Sequence, residues 1–407
     1  MTSTERPAAR PRGGIPRGLL NTGPILLSYG FRPFFLGAAS WACLAMILWI
    51  LFLAGAIPLA GDYGAHAWHA HEMLFGFASA VLAGFLLTAV PNWTGQLPVS
   101  GLPLLWLVLL WLAGRIGFLA ADVTGLAVAV ALDVLFLPVL LAICMREVVA
   151  GRKWADLKVM AGLAALSVAN IGFHYETLVE DAPDLSNRLA TSAYVMLIVV
   201  VGGRILPSFT RNWLNRFGRT DFPAPHDRYD RAVILSSVVA LALWVLAPGT
   251  AAAGVAALCV AILQAIRLWR WRGWTTFAEP IVFVLHVAYA FVVLGFAAIS
   301  AAGFGLMEAA AALHVLTVGT IATMMLAVMT RATRGHTGRA LTASRRTVAA
   351  YAALVLSALL RPLSAVLPDQ APTIFALSGA LWIAAFAVFL SEYGPMLVNR
   401  RRAPMRG

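Results

Sequence analysis

Twelve apolar runs, each near the length a helix needs to cross a bilayer, leave this chain few folds to choose from. The hydrocarbon core takes about 20 apolar residues of helix. Runs of that kind fall at 33–57, 68–91, 102–121, 123–146, 156–179, 187–210, 231–248, 250–270, 280–303, 306–330, 346–366 and 373–397. Ala and Leu dominate them and Gly lies inside them, whereas a membrane barrel needs short alternating strands. With 61% hydrophobic and 12% charged residues, the 407-residue chain lacks the charge to cover a soluble surface. The expected fold is all-α: a multi-pass domain of about 12 transmembrane helices over 29–398. A disordered basic tail, 1–28, precedes it and a short basic tail, 399–407, follows it.

Basic residues set the orientation. With Met1 in the cytoplasm, nearly all of the 30 Lys and Arg fall in the tails or in cytoplasmic loops. The exceptions are Arg115, Arg188, Arg204 and Arg361. The opposite loops carry Asp62, Asp122, Glu180, Asp181, Asp184, Glu308 and Asp369 instead. Both termini are therefore expected inside. The formal charge of +12 is a topology signal, and no soluble basic domain exists to hold a nucleic acid. The first run is too long, and lacks a small-residue cleavage site, for a signal peptide. Cys43, Cys144 and Cys259 stand alone in separate runs, so neither a disulfide nor a thiolate cluster is expected.

A weak internal period is visible. The second run exits as Val90-Pro91-Asn92-Trp93-Thr94, the sixth as Leu206-Pro207-Ser208-Phe209-Thr210, and the tenth as Val328-Met329-Thr330-Arg331. A spacing of about 120 residues suggests three four-helix units.

Three of the eight histidines crowd the mouth of the second run, in His66-Ala67-Trp68-His69-Ala70-His71-Glu72. Ionisable groups at membrane depth are costly and mark function, and imidazole is the commonest ligand for transition metals and haem iron. His71 and His314 start the second and tenth runs, within roughly 5–13 Å of the outer boundary. At that matched depth they can ligate one haem axially. The competing reading is that each bonds a neighbouring helix. His66, His69 and His174 lie on the same outer side and form a chemically sensible copper set, against a metal-free interfacial cluster. Glu72 can orient an imidazole from behind. Asp133, deep in the fourth run, needs a partner, and Arg115 or Arg204 can supply one. The segment from Thr330 to Arg339, with His336, reads as a polar, Gly-hinged loop able to bind an anion or to fix topology.

Four ordered segments resemble the NnrS family of bacterial membrane proteins tied to the nitric oxide response. They are Gly30-Phe31-Arg32-Pro33-Phe34-Phe35, the stretch from His69 to Phe77 continuing to Pro91-Asn92-Trp93-Thr94-Gly95, Gly203-Arg204-Ile205-Leu206-Pro207, and Met329-Thr330-Arg331 through Gly335-His336-Thr337-Gly338-Arg339. The resemblance implies a bacterial inner-membrane protein with haem, of b type here, and copper. It also implies tolerance of nitric oxide and nitrosative stress, often near denitrification functions, with nitric oxide or a related nitrogen species as partner. The chemical activity and electron donor stay open. A more distant likeness is to the twelve-helix core of haem-copper oxidases, whose second and tenth helices hold a low-spin haem. Ala312 and Leu316 flank His314 where a second haem ligand would need a histidine, so this chain would keep one bis-histidine haem and lack the oxygen-reducing centre. Two other function classes compete: a permease without haem, and an assembly factor that brings a cofactor to another membrane enzyme.

Overall fold

The apolar runs become twelve long helices, and no strand forms among the described residues. They are α1 (Phe31–Leu53), α2 (Ala65–Thr94), α3 (Leu102–Leu119), α4 (Leu126–Ala150), α5 (Trp154–Val179), α6 (Asp184–Arg216), α7 (Arg228–Leu246), α8 (Ala251–Arg270), α9 (Pro280–Gly303), α10 (Ala309–His336), α11 (Arg345–Ala365) and α12 (Pro368–Val398). The structure is a computed structural model that describes residues 23–180 and 182–400. Most of the two expected tails, 1–28 and 399–407, and Asp181 lie outside the described residues. Within 1–28, Ile25–Ser28 forms a single 3-10 turn.

Turn chemistry ends the helices where the sequence changes character. Gly95 takes a left-handed conformation, φ 77°, and its N–H closes the last turn of α2 on Pro91 O, the usual use of glycine after a helix. Within α4, the helix breaks at Leu135. Pro138 has no N–H and its ring crowds the carbonyl four residues back, so the break follows Asp133 directly.

Burial separates an inner set from an outer one. In their most apolar windows α2, α6, α9 and α10 are 83%, 72%, 67% and 67% buried, against 28–50% for the other eight. The outer helices expose Leu51, Leu109, Ile116, Val168, Leu235 and Leu356. An apolar outward face of this kind belongs against lipid, and the chain is a multi-pass membrane protein.

Neighbour relations repeat every four helices. The pairs α1–α12, α4–α5 and α8–α9 pack together, as do α3–α4, α7–α8 and α11–α12. At the centre α10 touches both α2 and α6, and Tyr194 of α6 donates to Leu74 O of α2 at 2.8 Å. Buried polar pairs tie the third and fourth helix of each unit: Arg115–Asp133, Asp230–Arg267 and Ser357–Ser378. Arg32 closes the ring, donating to Leu397 O at 2.6 Å and to Asn399 O at 3.0 Å.

The irregularities repeat only partly. Glu72–Ala78 of α2 and Val315–Ala322 of α10 are π-helical, and they follow His71 and His314 directly. The equivalent part of α6 is α-helical throughout. The start of α1 and the end of α12 share one end of the bundle, called here the basic end. His71 and His314 are at the other.

Candidate metal centre

The π-helical turn after His71 loosens the backbone ladder of α2, and buried carbonyls must then find other donors. They find three. Tyr194 bonds Leu74 O, Arg115 bonds Phe75 O at 3.0 Å, and Trp111 Nε1 bonds Gly76 O at 2.9 Å. Such π segments concentrate at functional sites.

Arg115, 1% exposed, is held between two acids. Its Nε lies 2.7 Å from Glu72 Oε2, and its Nη2 pairs with Asp133 Oδ1. Glu72 Oε2 also accepts from Trp41 Nε1 at 2.7 Å, and Glu72 Oε1 lies 3.1 Å from His71 Nδ1. On its other side, His71 Nε2 lies 3.1 Å from both Asp133 Oδ2 and Asn170 Oδ1. His174 Nε2 reaches the same Asp133 Oδ2 at 3.0 Å, and Asn170 Nδ2 donates to it at 2.9 Å. Asn170 and His174 are four apart on α5, hence on one face. Tyr63, in a 3-10 turn just before α2, meets His174 Nδ1 with its hydroxyl at 2.8 Å. Phe75, Phe118 and Phe173 wall the cluster, with Phe118 stacked on His174 at 5.5 Å.

One donor atom each from His71, Asp133 and His174 lies within 4.8 Å of the others. Metal bonds of about 2.0–2.2 Å put neighbouring ligands about 3 Å apart, close to the spacing here. Charge points the same way. With Glu72 and Asp133 ionised, Arg115 balances only one of them, and a buried uncompensated charge is costly. A proton on a histidine or a bound cation restores balance.

A second histidine group sits apart. His69 stacks on Trp49 with ring centroids 4.3 Å apart, and His66 meets the same ring edge-on at 5.2 Å. His69 is within electrostatic reach of His314, Arg361 and His66. Its Nδ1 is buried without a hydrogen-bond partner. His314 Nδ1 bonds Ala310 O at 2.7 Å, which fixes the ring and leaves Nε2 as the nitrogen available to another partner.

The family model described as NnrS protein matches residues 25–401. The chain belongs to the NnrS family. No curated protein matches it.

In this NnrS chain the residues singled out from sequence regroup. His71 was paired with His314, but none of its hydrogen-bond or ring partners among the described residues comes from α10. The expected copper set divides, since His174 joins His71 and Asp133 while His66 and His69 pack on Trp49. Glu72 does stand behind His71. Of the two arginines offered for Asp133, Arg115 pairs with it. Arg204 pairs instead with Asp156 at 2.7 Å, near the basic end. The expected loop from Thr330 is helix as far as His336, because its threonines bond back into the helix and Thr330 meets Tyr351 at 2.6 Å. Asn170 and Tyr63 were missed. The first had a signal in its spacing from His174; the second, in a short turn, had none.

Proposed function

We propose that this NnrS protein is a metalloprotein of the bacterial inner membrane, its basic end cytoplasmic, that serves response or resistance to nitric oxide and nitrosative stress. The observation that carries this reading is the convergence of His71 and His174 on Asp133 Oδ2 in a buried cluster short of positive charge. Two imidazoles, a carboxylate and the Asn170 carbonyl form an N/O donor set that copper accepts. Glu72 and Tyr63, bonded to the far nitrogens of the two histidines, orient the rings as partners of ligating histidines do. Copper held there would supply a redox-active cation able to bind nitric oxide. Haem b would be held by His69, whose Nδ1 is buried without a hydrogen-bond partner, and by His314, whose ring is anchored on Ala310 O, and it would supply a one-electron carrier there.

Metal analysis of the purified full chain tests the copper site. Wild type is expected to carry copper with an imidazole-nitrogen pattern in its paramagnetic resonance, lost in His71→Ala, His174→Ala and Asp133→Asn. A strain lacking the gene is expected to be nitric oxide-sensitive and rescued by wild type but not by His71→Ala. Copper bound equally by all three variants would move the site elsewhere, and equal rescue would separate it from the function.

A further inference from the structure

At the basic end, remote from the metal centre, α1, α2, α6, α9 and α10 enclose a cavity of about 430 Å³. That is within the range of small-molecule sites. Five aromatic rings stand in its walls: Phe31, Phe35, Phe85, Trp93 and Phe209. Thr88, Asn92, Arg331 and His336 supply the polar edge, and among the described residues no carboxylate lines it.

Arg331 is the informative group. Its guanidinium lies over the Phe209 ring, 3.9 Å from the centroid. Among the described residues it has no hydrogen-bond acceptor and no ion-pair partner, although each of Arg32, Arg115, Arg204, Arg267 and Arg334 has one. A partly enclosed cation with a ring face against it and only the more distant charge of Glu279 to balance it invites an acceptor oxygen from a ligand.

An apolar groove adjoins the cavity. This smaller void of about 70 Å³ shares Phe85, Ile205 and Val328 with it as wall residues and lies between Val81, Leu82, Leu197, Met324 and Met325. The site is thus a chamber with rings and one cationic donor, next to a hydrocarbon groove. A small oxyanion would leave the rings and the groove unused, and a fatty acid would leave the rings without a planar partner.

We propose that this cavity binds a membrane quinone, its ring among Phe31, Phe35, Trp93 and Phe209 with a carbonyl oxygen on Arg331, and its hydrocarbon tail in the groove towards Met324 and Met325. The proposal stands apart from the copper and haem readings and needs neither.

The test is saturable binding of labelled decylubiquinone to the full chain in phosphatidylcholine nanodiscs, corrected with empty discs. Arg331→Met removes the donor, and Val328→Trp fills the wall shared by chamber and groove without removing a polar group. Wild type is expected to bind saturably, and each variant to lose about tenfold in affinity or more, the worth of one charged hydrogen bond. Thermal unfolding checks each variant, and if Arg331→Met fails to fold, Val328→Trp alone decides. No saturable binding by wild type, or wild-type affinity in folded variants, overturns the proposal. So does oleate binding that decylubiquinone cannot displace, which would make this a fatty-acid site.

Discussion

His71 and His174, from α2 and α5, meet on a single oxygen, Asp133 Oδ2, at 3.1 and 3.0 Å. The other oxygen of that carboxylate is taken by Arg115. One acid therefore positions two imidazoles and pairs with a guanidinium, at a site where all four side chains are buried.

Asp133→Asn keeps the shape of the side chain and removes its charge. Arg115 then keeps Glu72 as its counter-charge, so the loss is that of buried hydrogen bonds from Arg115 and the two imidazoles, about 1–3 kcal/mol. Thermal unfolding in detergent should fall accordingly, and copper should be lost. Arg115→Met added to Asp133→Asn should cost stability again, because Glu72 then loses the cation that balances it; a double variant as stable as Asp133→Asn alone would refute that role for Arg115.

Gly76 and Gly202 make a matched pair. A Cβ at Gly76 would strike Glu72 Oε2 and Trp41 Nε1, so Gly76→Ala should cost about 1–3 kcal/mol by overpacking and disturb His71 through Glu72. At Gly202 the nearest atom to a new Cβ is 3.5 Å away, ordinary contact. Gly202→Ala should unfold within a degree or so of wild type on the same thermal scan.

The histidines at the far end separate two sites by spectroscopy. His69→Ala and His314→Ala should abolish a low-spin b-type spectrum, read as reduced minus oxidised, or turn it high-spin. His71→Ala should leave that spectrum in place while removing copper. A haem spectrum lost on His71→Ala and kept on His69→Ala would restore the His71–His314 pairing read from sequence.

The fold was open to reading because its signal is one of length. Apolar runs long enough to span a bilayer, with arginine on one side and acids on the other, define the spans without any knowledge of packing. The sites were harder. His66, His69 and His71 are close in sequence, but which neighbour each faces depends on the π-helical turn after His71, and an ideal helical wheel does not contain it. The Asp230–Arg267 pair, completed by Tyr289 at 2.9 Å from Arg267, escaped notice because Arg267 resembles one more topology-setting cation at a helix end.

Outside the membrane, Asp227 gives a pH dependence of known sign. Hydrogen bonding to Arg270 lowers its carboxyl from the ordinary 3.8 to about 2, while the same carboxylate caps α7 through Tyr229 N and Asp230 N. A depressed pKa contributes stability that is complete above the unfolded value and is lost as pH falls through the folded one. The first turn of α7 should therefore exchange its amide hydrogens faster as pH drops from about 4 towards 2, beyond the intrinsic change of exchange rate. Asp227→Asn should flatten that window. The group is exposed, so added salt should shrink the effect.

The π-helical segments behind His71 and His314 carry one consequence for how such a protein changes over time. Each residue of α-helix turns the chain by about 100°, and a π turn holds one residue more. In an uninterrupted α-helix one inserted residue would swing the histidine end past the core-facing half by that amount, whereas the π turn at Glu72–Ala78 or Val315–Ala322 takes the extra residue up within itself. The two halves then keep their relative azimuth. These two helices can thus gain or lose one residue between mouth and core while the histidines keep their aim and the helices continue to cross the membrane as before.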